Sequence, residues 1–273
     1  MGLRVNTNIA SLTAQRNLGS VSGRLQGNFS RLSSGLRIAT AADDAAGLAI
    51  SERLRSQTRS LAVNGRNAQD GISLVQTAEG ALAEVSNQLG RLRELAVQSA
   101  NGTLSSADRT TLDAEYQAIL SEIDRVAGET TFNSVQLLDN ADTIDIQVGL
   151  DSGDTIGVDT VDITTTGGGA IASLGDISSA ANASTELAAI DTAIDEITST
   201  RGDLGAAQNR LQSTFASIQN VRENLSAAES RIRDVDVAAE TADLTRNSIL
   251  QQAATSVLSQ ANVQPQLALS LLG

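Results

Sequence analysis

Residues 54–96 decide the fold, and they read LRSQTRSLAVNGRNAQDGISLVQTAEGALAEVSNQLGRLRELA. An apolar residue recurs at every seventh position of this stretch without a break: Leu54, Leu61, Ala68, Val75, Leu82, Leu89 and Ala96. Three residues further along, a second apolar series joins the later repeats: Ala78, Val85 and Leu92. Apolar residues at the a and d positions of a heptad form the seam of a coiled coil, so this stretch predicts one long packed helix.

A matching heptad series lies in the C-terminal half of the chain. Its apolar residues also recur every seven positions: Ile190, Ile197, Leu204, Leu211, Ile218, Leu225 and Ile232. A helix over residues 54–96 would be about 65 Å long at 1.5 Å per residue, whereas a compact globule of this chain length would be about 48 Å across. The sequence therefore predicts a mainly α fold, an elongated antiparallel coiled-coil helical hairpin or bundle.

The segment between the two heptad series predicts a short helix and then a small β-hairpin. Apolar residues spaced three and four apart indicate the helix, with Ser105 or Ser106 as its N-cap: Leu112, Tyr116, Ile119, Ile123 and Val126. Residues 144–150 then alternate strictly between apolar and other side chains. Asp151-Ser-Gly-Asp predicts a turn, after which Ile156 and Val158 resume the alternation.

The composition excludes several classes of catalytic and metal site. The chain of 273 residues contains no His and no Cys, and all 19 basic residues are Arg. It therefore lacks the imidazole, thiolate and amine groups of the common zinc sites, catalytic triads, disulfides and P-loops. Carboxylate chemistry remains, but Asp43 and Asp44 are better interpreted as helix caps than as an acid–base pair. We expect no enzyme activity, cofactor or metal.

The net charge of -13 is concentrated in the middle of the chain. Residues 126–200 contain 13 acidic and no basic residues, so the two ends together are neutral. We interpret the acidic middle as a solvated surface rather than a calcium site, because its Asp spacing matches no known calcium loop. Neutral ends permit self-association, and neither nucleic-acid binding nor membrane insertion is expected. The N-terminus lacks the apolar run of a secretory signal, so export would use another route.

Both ends of the chain predict amphipathic helices. In the N-terminal helix, the apolar residues keep spacings of three and four: Leu18, Val21, Leu25, Phe29, Leu32 and Leu36. At the other end, an apolar stripe comprises Leu250, Ala254, Val257, Leu258, Ala261, Leu267, Leu269, Leu271 and Leu272. These stripes are too narrow to be buried alone, so they are either frayed ends or segments ordered only against neighbouring subunits.

The chain resembles bacterial flagellin, the subunit of the flagellar filament, over about residues 1–140 and 183–273. Six blocks carry the resemblance: RLSSGLRI at 31–38, ADDAAGLAISE at 42–52, NAQDGISLVQTAEGAL at 67–82, RELAVQSANGT at 93–103, GAAQNRL at 205–211 and NLSAAESRIRDVD at 224–236. The resemblance implies a hairpin-shaped subunit that polymerises with itself into a secreted, extracellular filament, the helical propeller for swimming. It also implies a flagellar export chaperone, the flagellar type III export apparatus, and filament cap and hook-associated proteins as partners.

Three alternatives stand beside this interpretation. A hook-filament junction protein shares terminal helices with flagellin, but the internal blocks match flagellin densely. A chemoreceptor-like signalling coiled coil would need a membrane span and would leave the hairpin unexplained. An enzyme inserted into a filament subunit would need a catalytic domain, for which residues 126–200 are too short.

The resemblance also implies a division of the chain into three parts. A terminal-helix domain of the filament core would combine residues 1–44 and 234–273. A coiled-coil rod domain would combine residues 45–140 and 183–233. The short acidic segment 141–182 would be exposed, without a large outer domain.

Arg91, Leu95 and Glu115 have two interpretations that the sequence leaves open. The resemblance implies that their positions contact a vertebrate Toll-like receptor. The structural interpretation is a surface salt bridge between Arg91 and Glu115 with an apolar contact beneath it.

Overall fold

The computed structural model describes residues 7–270, and it describes side chains up to Val263 except that of Ala170. The chain divides into two compact units. Unit 1 combines Met1–Thr58 with Asn224–Gly273, and unit 2 comprises Arg59–Glu223.

Five long helices and two small antiparallel hairpins make up most of the chain. The helices are α1 (Ile9–Ser34), α2 (Ala45–Ala100), α3 (Ser106–Glu129), α4 (Ala180–Arg233) and α5 (Val237–Ser270). The strands are β1 (Thr131–Phe132), β2 (Val135–Gln136), β3 (Thr143–Gln147) and β4 (Thr155–Asp159), and a 3₁₀ helix covers Ala170–Ser173. The predicted fold class, mainly α with a β-hairpin region in the middle of the chain, is confirmed.

In unit 2, the two heptad series form the core as predicted. The side chains from Leu61 to Ala96 in the first series and from Ile190 to Ile218 in the second are buried at every heptad position. The helices run antiparallel, since the Arg201 guanidinium pairs with Glu79 at 2.7 Å and Arg93 pairs with Asp191 at 2.7 Å. Each heptad seam therefore buries its apolar side chains within the unit.

Helix α3 begins where the sequence predicts it. The Ser105 hydroxyl accepts the Asp108 amide, and the Asp108 carboxylate accepts the Ser105 amide in return, which is a capping box. The preceding turn is held by Arg109, whose guanidinium donates to the carbonyls of Ser99, Asn101 and Leu104. Tyr116 and Ile123 lie on the buried face of the helix.

The predicted hairpin is confirmed, but its strands end earlier than the alternation does. Ile144 pairs with Val158 and Ile146 pairs with Ile156 across β3 and β4. Leu150 lies beyond β3 and is 43% exposed. Two amides of α2 anchor the hairpin, because Asn64 donates to the Gly149 carbonyl at 2.8 Å and Asn67 donates to the Gln147 carbonyl at 3.1 Å.

The sequence did not predict the hairpin of β1 and β2. Each of its strands has 2 residues, which is too few to show an alternation. Its turn residues Asn133 and Ser134 have φ of 49° and 66°. Two consecutive residues with positive φ are the signature of a tight hairpin turn whose twist matches that of its strands.

In unit 1, α1 and α5 pair in antiparallel orientation. The Asn8 amide donates to the Ala261 carbonyl at 2.7 Å near the start of α1, and Arg31 contacts Glu240 at 2.8 Å near its end. Backbone hydrogen bonds tie the ends of the two helices together, since Val235 donates to the Gly35 carbonyl at 3.0 Å. The helix-cap interpretation of Asp44 is confirmed, because its carboxylate accepts the Gly47 amide at 2.9 Å.

Candidate functional site

The candidate site is the α1/α5 pair of unit 1, where the sequence places both assembly stripes. The N-terminal stripe meets α5 only in part. Leu25 is buried, and four further members are half-buried: Leu18, Val21, Leu32 and Leu36. Phe29, the only aromatic residue of the stripe, is 61% exposed. This side chain has the size of a core residue but lies in solvent.

The C-terminal stripe divides between two faces of α5. Ala261 is buried, and Ala254 and Leu258 are half-buried on the face that α1 covers. Leu250 and Val257 are exposed. The side chains of Leu267 and Leu269, and the residues Leu271 and Leu272, lie outside the described part of the chain. Spacing alone placed all nine residues in one stripe. A stripe about 100° wide is broad enough for one edge to face a partner helix while the other edge faces solvent.

Exposed large apolar side chains are concentrated in unit 1. Among the described residues, unit 1 exposes nine of them: Ile9, Leu12, Phe29, Ile50, Val237, Ile249, Leu250, Val257 and Val263. Its buried apolar residues number four: Ala14, Leu25, Ile38 and Ala261. Two paired helices bury only the side chains between them, so the outer faces stay exposed. Apolar surface of this extent marks a site that binds other molecules.

A polar cluster interrupts the apolar seam between α1 and α5, and it consists of Asn28, Arg31, Glu240 and Asn247. The Asn28 amide donates to Glu240 Oε1 at 2.5 Å, and Arg31 Nε donates to the same oxygen at 2.8 Å. Asn247 Nδ2 donates to Asn28 Oδ1 at 2.9 Å. No pattern in the sequence predicts this cluster, although Asn247 lies seven residues before Ala254 in the same heptad phase.

The predicted receptor residues lie in unit 2, and only two of them are accessible. Arg91 Nη2 is 2.7 Å from Glu115 Oε1, and both side chains are about half-exposed. The hydrogen bonds with Glu115 raise the pKa of Arg91 above its usual value. Leu95, four residues after Arg91 on α2, is fully buried. This geometry is that of the structural interpretation, and whether a receptor binds there stays a prediction.

Hydrogen bonds between Thr and Asp residues tie the acidic middle of the chain to itself and to α3. The Thr143 hydroxyl donates to Asp159 at 2.7 Å, and Thr165 donates to Asp124 from both its amide and its hydroxyl. In the part of the chain that the structure describes, no three carboxylates are placed to hold a metal ion. Among the same residues, no helix is long and apolar enough to cross a membrane.

Comparisons with known proteins match both ends of the chain. The bacterial flagellin N-terminal helical region matches residues 5–143, and the bacterial flagellin C-terminal helical region matches residues 187–272. The flagellin of Halalkalibacterium halodurans is 47% identical over 269 residues, which cover 98% of this chain and 99% of that protein. The chain belongs to the bacterial flagellin family. Members of this family are structural subunits of the flagellar filament, and this chain is one of them.

Solved structures agree with this assignment. The crystal structure of Bacillus cereus flagellin is 37% identical, with a TM-score of 0.51 over 60% of this chain and 94% of that chain. A putative flagellar hook-associated protein from Vibrio parahaemolyticus has a TM-score of 0.60 over 70% of this chain and 100% of that chain. Its identity is 16%, so the likeness shows the fold alone. The hook-filament junction alternative is therefore less supported than the filament subunit.

The two family matches leave residues 144–186 uncovered. This gap contains most of the β3–β4 hairpin and the start of α4. Most of the acidic segment that the sequence sets apart at 141–182 thus lies outside the matched family regions.

Proposed function

We propose that unit 1 is the part of this filament subunit that copies of the chain bury against one another. The single observation that carries the proposal is the set of nine exposed large apolar side chains of unit 1, eight of which lie on α1 and α5. Complete burial of an exposed side chain of this size gains about 1.5–3 kcal/mol, and these side chains, which are about half-exposed, gain about half of that. Several of them per subunit supply enough free energy to hold a non-covalent polymer together.

A matched pair of substitutions tests this assignment. Leu250 in unit 1 and Leu150 in unit 2 are each 43% exposed. Leu250→Asp is expected to prevent polymerisation onto filament fragments, because it places a charge where subunits meet. Leu150→Asp makes the same chemical change at equal exposure and is expected to leave assembly intact. Electron microscopy of seeded samples measures both, and equal assembly by the two variants would contradict the proposal.

The same apolar surface suits a flagellar export chaperone before assembly. Leu250 and Val257 are accessible on α5, whereas Ala254, Leu258 and Ala261 face α1. A chaperone that receives the whole C-terminal stripe must therefore separate α5 from α1. It would thereby block polymerisation through this pair until the chain leaves the cell.

Chaperone binding and assembly share residues in this proposal, so one set of substitutions tests both. The triple variant Leu250→Asp/Val257→Asp/Leu258→Asp is expected to weaken both processes. Calorimetric titration with the purified chaperone measures the first, and seeded filament growth measures the second. If chaperone affinity is unchanged while assembly fails, the two surfaces are different.

Export through the flagellar type III apparatus is consistent with the composition. The chain has no Cys, so no disulfide can form while it passes from a reducing to an oxidising compartment. Assembly beneath a filament cap, onto hook-associated proteins, would then place the subunit outside the cell. A strain that lacks the export apparatus should keep the chain inside, which fractionation measures.

Recognition by a vertebrate Toll-like receptor is a second function, supported by the exposed Arg91–Glu115 pair. Glu122 on the same helix is a matched control, because it also pairs with an arginine and is 43% exposed against 47% for Glu115. Glu115→Arg is expected to abolish receptor activation, and Glu122→Arg is expected to leave it unchanged. A receptor reporter assay on both variants measures this difference.

A further inference from the structure

The polar cluster occupies positions where a helix pair normally places apolar residues. In α1, Ala14, Val21 and Asn28 are each seven residues apart. In α5, Glu240 and Asn247 precede Ala254 and Ala261 at the same spacing. The cluster therefore occupies core positions of the heptad repeat rather than positions at the edge of the helix pair.

Burial makes this cluster costly unless every partner is in place. Asn28 is 2% exposed and Asn247 is 9% exposed. Asn28 Oδ1 accepts a hydrogen bond from Asn247 Nδ2, and Asn28 Nδ2 donates to the Glu240 carboxylate. A buried amide or carboxylate that loses its partner keeps the full desolvation cost.

Apart from the start of α1, where the Ser11 hydroxyl donates to Asn262 and the Asn8 amide donates to Ala261, the rest of the seam is apolar and discriminates poorly between alignments. Its apolar members are largely Ala and Leu, and they repeat every seven residues on both helices. If α5 moved by seven residues along α1, Ala254 would take the position of Asn247, and most apolar contacts would be replaced by similar ones. Asn247 would in turn take the position of Glu240, so Asn28 Oδ1 would lose its donor and Arg31 would lose its carboxylate partner. Such a displacement is about 10 Å along the helix axis.

We infer that the polar cluster sets the register of α5 against α1, as a single buried asparagine does in a coiled coil. This inference rests on the proposed function, because a polymer requires the same surface on every subunit. A slipped pair would displace Leu250 and Val257 relative to Phe29, so that its surface would no longer match its neighbours. The cluster thus selects the one alignment that can be added to a filament.

Spin labels report the register directly in assembled filaments. The chain has no Cys, so cysteines introduced at the exposed positions Gln26 and Gln260 carry the only labels. Labelled subunits are diluted into an excess of unlabelled parent chain and grown from seeds. Pulsed electron paramagnetic resonance is expected to give one distance for the parent sequence. It is expected to give a second population, displaced by up to about 10 Å, for Asn28→Leu/Asn247→Leu.

The control is Asn17→Leu/Gln259→Leu, which makes similar polar-to-leucine changes at exposed positions of the same helices. It is expected to keep the single parental distance. A single parental distance in Asn28→Leu/Asn247→Leu would overturn the inference. If the parent chain itself forms no filament, the proposed function fails instead, and the two failures are thereby distinguished.

Exchange of the charged pair decides the question if the leucine variant is not incorporated. Arg31→Glu and Glu240→Arg are each expected to raise the protein concentration required for assembly at least about tenfold. The combined exchange restores opposite charges at the same two positions, and the asparagine amides can rotate to suit it. It is expected to recover most of the loss. The inference is overturned if the single changes have no effect or if the combination stays as impaired as they are.

Discussion

The two units contain antiparallel helix pairs with similar heptad patterns, but they bury their apolar side chains to different degrees. In unit 2, the seam of α2 and α4 is also covered by α3 and the β3–β4 hairpin, and 33 of the described apolar residues are buried. In unit 1, which adds to the α1/α5 pair only the start of α2 and the end of α4, four of the described apolar residues are buried. A heptad pattern thus predicts that helices pair, but the number of surrounding elements decides whether the apolar side chains of the unit are all buried within it.

This difference implies that unit 2 carries the stability of the isolated subunit and unit 1 carries its assembly. Two-helix pairs are marginal in water unless their outer faces are also buried. We therefore expect the ends of the monomer to be digested by trypsin before the residues between them, and to be protected in the filament.

Removal of the α1/α5 pair should have the largest effect, because it should abolish assembly and leave the folding of unit 2 intact. A chain without residues 1–44 and 234–273 is expected to lose filament assembly completely, because the α1/α5 pair is absent. The same chain should still melt cooperatively, because the core of unit 2 is intact. Circular dichroism and electron microscopy measure the two properties. Filaments from the truncated chain would show that unit 2 is sufficient for assembly.

Alanine substitution should lower the free energy of unfolding by several kcal/mol more in unit 2 than in unit 1. Leu89 is fully buried in unit 2, and Leu89→Ala is expected to lower the free energy of unfolding by about 2–5 kcal/mol. Leu250→Ala removes the same atoms from an exposed side chain of unit 1. It is expected to change the stability of the monomer by less than about 0.5 kcal/mol. Urea denaturation of the monomers measures both, and similar losses would mean that unit 1 contributes equally to the monomer.

Two glycines of α2 test how tightly unit 2 is packed. A Cβ at Gly71 would lie 2.3 Å from Ile146 Cδ1, whereas a Cβ at Gly80 meets nothing within 4 Å. Gly71→Ala is expected to destabilise the hairpin contact by about 1–3 kcal/mol. Gly80→Ala is expected to stabilise the helix by about 0.8–1 kcal/mol. Thermal unfolding should shift in opposite directions, and a shift in the same direction would contradict this close approach.

Alkaline pH should affect unit 2 through one residue. Burial and the nearby Glu186 carboxylate raise the pKa of Tyr116 above its usual value of 10.0. A group with a raised folded-state pKa stabilises the fold fully below its unfolded pKa, so stability should fall as pH rises above 10. The loss is at most about 1.4 kcal/mol per pH unit.

The composition makes this measurement specific. The chain has no Lys, no Cys and a single Tyr, so Tyr116 is the only side chain that titrates between neutral pH and the range of arginine. Tyr116→Phe is therefore expected to unfold with no comparable dependence above pH 10. The same slope in both proteins would assign the effect to another group.

Local patterns were sufficient for the elements whose signal lies within a few neighbouring residues. The capping box at Ser105, the hairpin of β3 and β4 and the two heptad helices all match their predicted positions. The β1–β2 hairpin was missed because its turn depends on backbone angles at Asn133 and Ser134 that neither residue type demands.

The candidate site was predicted as a set of residues but not as a surface. Periodicity gives the angle of a side chain around its helix, and it placed Leu250 and Leu258 in one stripe. Only the position of α1 decides that Leu258 is half-buried and Leu250 is exposed. In the same way, spacing places Arg91 and Leu95 on one helix face. The packing of unit 2 buries Leu95 and leaves Arg91 about half-exposed.

The sequence alone determined the helical class, the pairing tendency of both ends, the acidic middle and the family, because these depend on residue type and spacing along the chain. The tertiary structure alone decided which apolar faces remain exposed and which polar groups meet across the seam. Glu240 and Asn28 lie 212 positions apart in the chain, and no local pattern relates two such residues. Their contact exists because two helices are placed side by side, and that placement is set by the burial of all the side chains between them.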